Sequence, residues 1–138
     1  MPVRSLSSSV LKWPDAQTVE GALRRWAKKA VRDRDDVLRI GFFGSYSRGD
    51  WGVGSDLDLI IILAGSDQPF ERRGVEWDTT GLPVPTEILI YTLDEWQSLD
   101  REGRFYQTLI QEARWVYARD DQRPVPNGWH RNASGMEQ

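Results

Sequence analysis

The chain has 138 residues, the length of one domain, and 39% of them are hydrophobic, enough for a core that includes some of its seven tryptophans. It contains no cysteine, which excludes disulfides, zinc ribbons and thiol catalysis. Its 18 basic and 21 acidic residues leave a net charge of −3, which excludes a polybasic nucleic-acid binder though not a local basic patch. The single histidine, His130, sits in a polar stretch and is expected to be solvated rather than part of a catalytic triad. No segment approaches the ~20 consecutive apolar residues of a membrane span, and the N-terminus lacks the apolar core of a secretory signal. The expectation is a soluble cytoplasmic protein.

In chain order, residues 1–14 are serine-rich and aperiodic and are expected to form an extension. Pro14 and Asp15 are helix-start signals, and Val19, Leu23, Trp26, Ala27, Ala30 and Val31 then recur on one face at helical spacing. Arg24, Arg25, Lys28, Lys29 and Arg32 fill much of the remainder, the pattern of a solvated basic face, with a docking surface for RNA or an acidic partner protein as the alternative. Val37–Phe43 reads as a strand, with Leu38, Ile40 and Phe42 pointing one way and Arg39 and Gly41 the other. A polar, glycine-containing loop over 44–55 leads into a strand over 56–63. Beyond Asp58 that strand is apolar on both faces, which marks it as central and buried on both sides. In 70–78, Val75 and Trp77 alternate with Glu76 and Asp78, so a short edge strand is one option. Two prolines mark a turn, and 86–92 reads as another strand. Thr92 and Glu95 form a T-x-x-E capping box that opens a helix with Leu93, Trp96 and Leu99 inward. Gly103 breaks that pattern. Phe105, Leu109, Ile110 and Ala113 mark a further helix, and 114–118 a short final strand. From 120 to 138 the chain is polar and is expected to be a mobile tail, leaving 15–119 as the folded domain.

The chemistry concentrates between Phe42 and Ile62. Asp56 and Asp58 are two apart on a strand, so both side chains leave the same face. Carboxylates held that close repel, and either one keeps a proton or a cation sits between them. Hard carboxylate oxygens suit Mg²⁺, which commonly takes one or two of them together with substrate phosphates. Glu87, in the strand 86–92, would complete the cluster if that strand lies alongside. Gly44 and Ser45 follow the first strand directly, and glycine lets backbone approach a ligand closely. A short helix starting near Ser45 would direct N–H groups at a phosphate. The Ser45 hydroxyl could donate to the same group, and Arg48 adds a cation. A phosphate cradle beside a metal site is what phosphoryl or nucleotidyl transfer needs. There is no G-K-[ST] P-loop, and the loop is not a dinucleotide fingerprint, because no helix obviously follows it. Tyr46 and Trp51 could stack on a base, with packing the alternative.

Gly44-Ser45, ten residues, then Asp56-x-Asp58 resembles the signature of the DNA polymerase β-like nucleotidyltransferase superfamily. The fuller string is similar to the minimal nucleotidyltransferases: Gly44, Ser45, Arg48, Gly49, Ser55, Asp56, Asp58 and Leu59 fit, and Ser47 replaces a usual alanine. The resemblance implies an α/β fold with a small mixed sheet and helices packed mainly on one face. It implies that Asp56, Asp58 and Glu87 are the catalytic and metal-binding acids, holding one or two Mg²⁺, with Glu76 and Asp78 as competing positions for the third. It implies that Gly44, Ser45 and Arg48 bind the phosphates of a nucleoside triphosphate. The implied activity is transfer of a nucleoside monophosphate, AMP from ATP, to a hydroxyl of a protein or nucleic acid. Members of this subgroup often serve as antitoxins paired with a HEPN-domain toxin. The alternative is a non-catalytic nucleotide-binding subunit that acts by binding a partner protein. A homo-oligomer is compatible with either.

Overall fold

A computed structural model describes residues 13–119. The Asp15 side chain accepts from the Thr18 amide at 2.8 Å, an N-cap that opens helix α1, Ala16–Asp33. Val19, Leu23 and Ala27 are buried as their spacing predicts, and Ala22 is buried with them. After α1 come strand β1 (Val37–Phe43), the one-turn helix α2 (Ser45–Arg48) and strand β2 (Leu57–Leu63). A 3₁₀ segment (Phe70–Glu76) then leads to strand β3 (Thr86–Thr92), helices α3 (Leu93–Gln97) and α4 (Arg104–Glu112), and strand β4 (Arg114–Ala118).

The four strands form one sheet in the order β3-β2-β1-β4. β1 runs antiparallel to both β2 and β4, whereas β2 and β3 run parallel. The central position expected for β2 is observed, and all its residues except Asp58 are buried. Its alternate side chains feed two separate cores. Leu57, Leu59, Ile61 and Leu63 face the long helix α1, together with Phe42, Ile40 and Ile90. Ile60 and Ile62 face the shorter α3 and α4 and pack with Trp96 and Leu109. The mixed sheet with its principal helix laid along one face is the expected fold class.

Three local expectations change. Leu38 does not share a side with Ile40 and Phe42. The register shifts between Val37 and Arg39, and this irregularity turns Leu38 toward Trp96 while Arg39 lies over the Trp115 ring at 5.0 Å. The option of an edge strand in 70–78 gives way to the 3₁₀ segment, in which Val75 is 83% exposed. Its anchor is Arg73, only 6% exposed, which forks onto both Glu95 oxygens at 2.6 and 2.9 Å and also donates to the Ile90 carbonyl. On α4, Leu109 is buried, but Phe105 and Ile110 are exposed because the short helix touches the sheet along a narrow stripe. The capping box at Thr92 and Glu95 is present in full. No helix among the described residues is long and apolar enough to cross a membrane. The expected tail, 120–138, and the extension up to residue 12 lie outside the described residues.

Candidate active site

Strand directions bring the motif residues to one end of the sheet. β1 ends at Phe43 where β2 begins, and β3, parallel to β2, begins there too. Asp58 is therefore opposite Phe43 on one side and opposite Glu87 on the other. Asp58 and Ile60 share a face of β2. α3 and α4 cover Ile60 and Ile62 but leave the strand end uncovered, so Asp58 opens into a groove of about 550 Å³. Phe43, Gly44, Arg48, Arg104, Phe105, Thr108 and Glu112 complete its lining.

Gly44 makes the turn from β1 into α2 at φ = +80°, a region that L side chains avoid. Its α-carbon also packs directly against Asp58: a Cβ added there would collide with Asp58 Oδ2. Two requirements thus fall on one residue, backbone twist and close approach. The chain then closes one helical turn, with the Ser47 and Arg48 amides returning to the Gly44 carbonyl and Gly49 ending it at φ = +91°. Tyr46 is buried under this turn, stacked on Trp51 at 5.5 Å and tied by its hydroxyl to Trp13 and Pro14. The Tyr46 ring is therefore structural, and half-buried Trp51 packs against it. The Ser45 hydroxyl makes no hydrogen bond among the described residues.

Asp58 is half-buried, and its carboxyl is pushed above the usual range by burial first, then by Glu87 and Asp56, with Glu112 adding to them and Arg48 opposing. Asp56 and Glu87 are exposed. The register thus places Asp58 and Glu87 side by side, the adjacency that sequence spacing left open. Glu76 lies instead at the end of the 3₁₀ segment, paired with Arg34, and Asp78 binds Thr80. Among the described residues, no three acids or histidines gather closely enough to hold a metal ion alone. The donor chemistry nonetheless suits a hard divalent cation. Mg²⁺ needs only one or two protein carboxylates when phosphates supply the rest, and the repulsion already acting on Asp58 is what such an ion relieves.

Arg48 is held by Asp50 at 3.0 Å and by Glu112 at 3.3 Å. Glu112 also accepts from the Gly44 amide at 3.1 Å. Sequence reasoning missed Glu112 because it belongs to no motif and reaches the loop from another element.

The chain belongs to the nucleotidyltransferase-domain family, whose profile matches residues 24–116, and the resemblance to the DNA polymerase β-like superfamily drawn from its motif holds. The match spans every site residue named above. A protein assigned as a nucleotidyltransferase from Sulfolobus solfataricus shares the fold with a TM-score of 0.56 at 12% identity, over 80% of this chain and 89% of that one. A toxin–antitoxin structure with AMP-PNP gives a TM-score of 0.52 at 18% identity, over 71% of this chain and 75% of that one. A mutant of the toxin–antitoxin MntA-HpeT gives 0.50 at 15%, with the same coverage. No curated protein matches by sequence.

Proposed function

We propose that the chain transfers a nucleoside monophosphate, AMP from ATP, to a hydroxyl on a protein or nucleic acid, with Mg²⁺ and with loss of pyrophosphate. The observation that carries this reading is the direct packing of the Gly44 turn against Asp58. It sets a candidate phosphate cradle and a candidate metal ligand in van der Waals contact, and catalysis of this class is mostly positioning of those two parts. Asp56 and Asp58 would hold the ion, and Glu87, beside Asp58, would be the third acid. When bound, Mg²⁺ neutralises charge developing on the transferred phosphate. Gly44, Ser45 and Arg48 orient the β- and γ-phosphates. Glu87 helps take the proton of the attacking hydroxyl.

The fold neighbours include toxin–antitoxin structures, which supports a protein partner; the motif resemblance makes that partner a HEPN-domain toxin and the setting cytoplasmic. The groove beside Asp58 is open, which leaves room for an acceptor hydroxyl.

The test uses α-labelled ATP, Mg²⁺ and a host-cell extract. Label should appear on a protein or nucleic acid with the wild type and fall at least ~100-fold with Asp56→Asn/Asp58→Asn, the scale on which enzymes lose rate when transition-state charge is left unmatched. Label transfer that persists in the variant overturns the site assignment. The second reading, a non-catalytic nucleotide-binding subunit, is favoured by one observation: among the described residues, three acids do not gather into a metal cluster. Under it, ATP binds in calorimetry and no label moves.

A further inference from the structure

Glu112 closes α4 and has no part in the chemistry proposed above. Its side chain nevertheless takes two of the donors assigned there to a phosphate. Oε1 accepts from the Gly44 amide at 3.1 Å, and both carboxylate oxygens lie 3.3 Å from Arg48 Nη1. The backbone is tied as well, since the Ser47 hydroxyl donates to the Glu112 carbonyl. The carboxylate is therefore delivered to this place by two anchored elements, the end of α4 and the α2 turn. An amide and a guanidinium see the same thing in a carboxylate and in a phosphate, namely charged oxygens at hydrogen-bond distance. The two anions cannot occupy those donors together.

The geometry points to Glu112 as a built-in competitor: an internal anion seated in the phosphate cradle, which an incoming polyphosphate must displace. This rests on the reading of Gly44 and Arg48 as phosphate contacts and deepens it. Glu112 keeps the cradle shaped and satisfied when no ligand is bound. The same contact lowers the affinity of every anion that needs these donors, because only the fraction of molecules with Glu112 swung away is competent. A weakly held anion such as orthophosphate then drops out of the useful range, while a polyphosphate that makes many contacts still binds. The groove beside the site, lined by Arg104 and Thr108 on the same helix, gives the displaced carboxylate somewhere to go.

The test is calorimetric titration of the full chain with inorganic tripolyphosphate and Mg²⁺, for the wild type, Glu112→Gln and Glu112→Ala. Melting curves first establish that each variant is folded, and the Gly44 amide resonance is followed in parallel. Glutamine keeps the size of the side chain and removes its charge; alanine removes both. Both variants should bind tripolyphosphate about tenfold more tightly, the factor expected if the cradle is open about a tenth of the time in the wild type. The Gly44 amide should shift on Glu112→Gln, and again in the wild type as tripolyphosphate is added. If the wild type binds and both variants bind equally or more weakly, Glu112 is a strut for Arg48 and the inference falls while the phosphate site stands. If none of the three binds tripolyphosphate, both the inference and the phosphate assignment fall.

Discussion

Gly44 is the point at which backbone geometry and site chemistry depend on each other. Its φ of +80° with ψ of −155° lies in a region essentially reserved for glycine, at a cost to other residues on the order of 1–3 kcal/mol, and contact with Asp58 Oδ2 leaves no volume for a methyl group. Gly44→Ala should therefore destabilise the fold by about 1–3 kcal/mol and cost at least ~100-fold in transfer, because small displacements of positioning groups are expensive. Urea melts together with the label-transfer assay check it. A variant with wild-type activity would show that the Gly44–Asp58 contact does not position the site. At this scale the sequence was informative where the spacing was local. Gly44, Ser45, Asp56 and Asp58 lie within one loop and its flanking strands, and a spaced pattern carries them. Glu112 meets Gly44 from 68 residues along the chain, and no short-range periodicity encodes a contact of that kind.

Among the elements, the 3₁₀ segment shows how one residue can serve two structures. Thr92-x-x-Glu95 announces the capping box of α3, and the box is there. Glu95 also pairs with Arg73, 22 residues earlier, and that pairing holds down a segment whose alternation otherwise suggests a strand. The second role is invisible in the sequence because it depends on β3 passing between the two. The Arg73 hydrogen bond, aided by the Thr92 amide, holds the Glu95 carboxyl down to about 2 against the cost of burial. A carboxylate with a depressed folded pKa contributes stability that is complete above its ordinary value of 4.5 and is lost as pH falls from there toward about 2. Glu95→Gln should then be less stable than the wild type at pH 7, by about 1–2 kcal/mol, since Arg73 is buried but Glu95 is partly open to solvent and screened. The gap should close between pH 4.5 and 2. A gap that stays constant over that interval would mean the ion pair contributes through packing alone.

The whole molecule sets a well-buried sheet against a site that works against it. β2 is packed on both faces from Leu59 to Leu63, and this was legible as an apolar run without alternation. The order of the strands was not legible, because local patterning does not say which strand pairs with which. The same packing fixes Asp58 at the strand end, where burial and neighbouring acids outweigh the opposing charge of Arg48 and no residue among those described forms an ion pair with it. Functional sites commonly carry such a cost, so neutralising them stabilises the fold while removing activity. Asp58→Asn should accordingly melt above the wild type when no ligand is present. Wild type with Mg²⁺ and ATP at a hundred times the dissociation constant should gain about 2.7 kcal/mol, roughly 10 °C for a domain of this size, and the variant should gain almost none. Differential scanning fluorimetry with and without Mg²⁺ and ATP separates the possibilities in one experiment. Should Asp58→Asn melt below the wild type, the acid is a structural member of the strand end. If the variant keeps its ligand shift, the cation and phosphate are held elsewhere. Only the combination of a higher baseline and a lost shift assigns both the repulsion and its relief to Asp58.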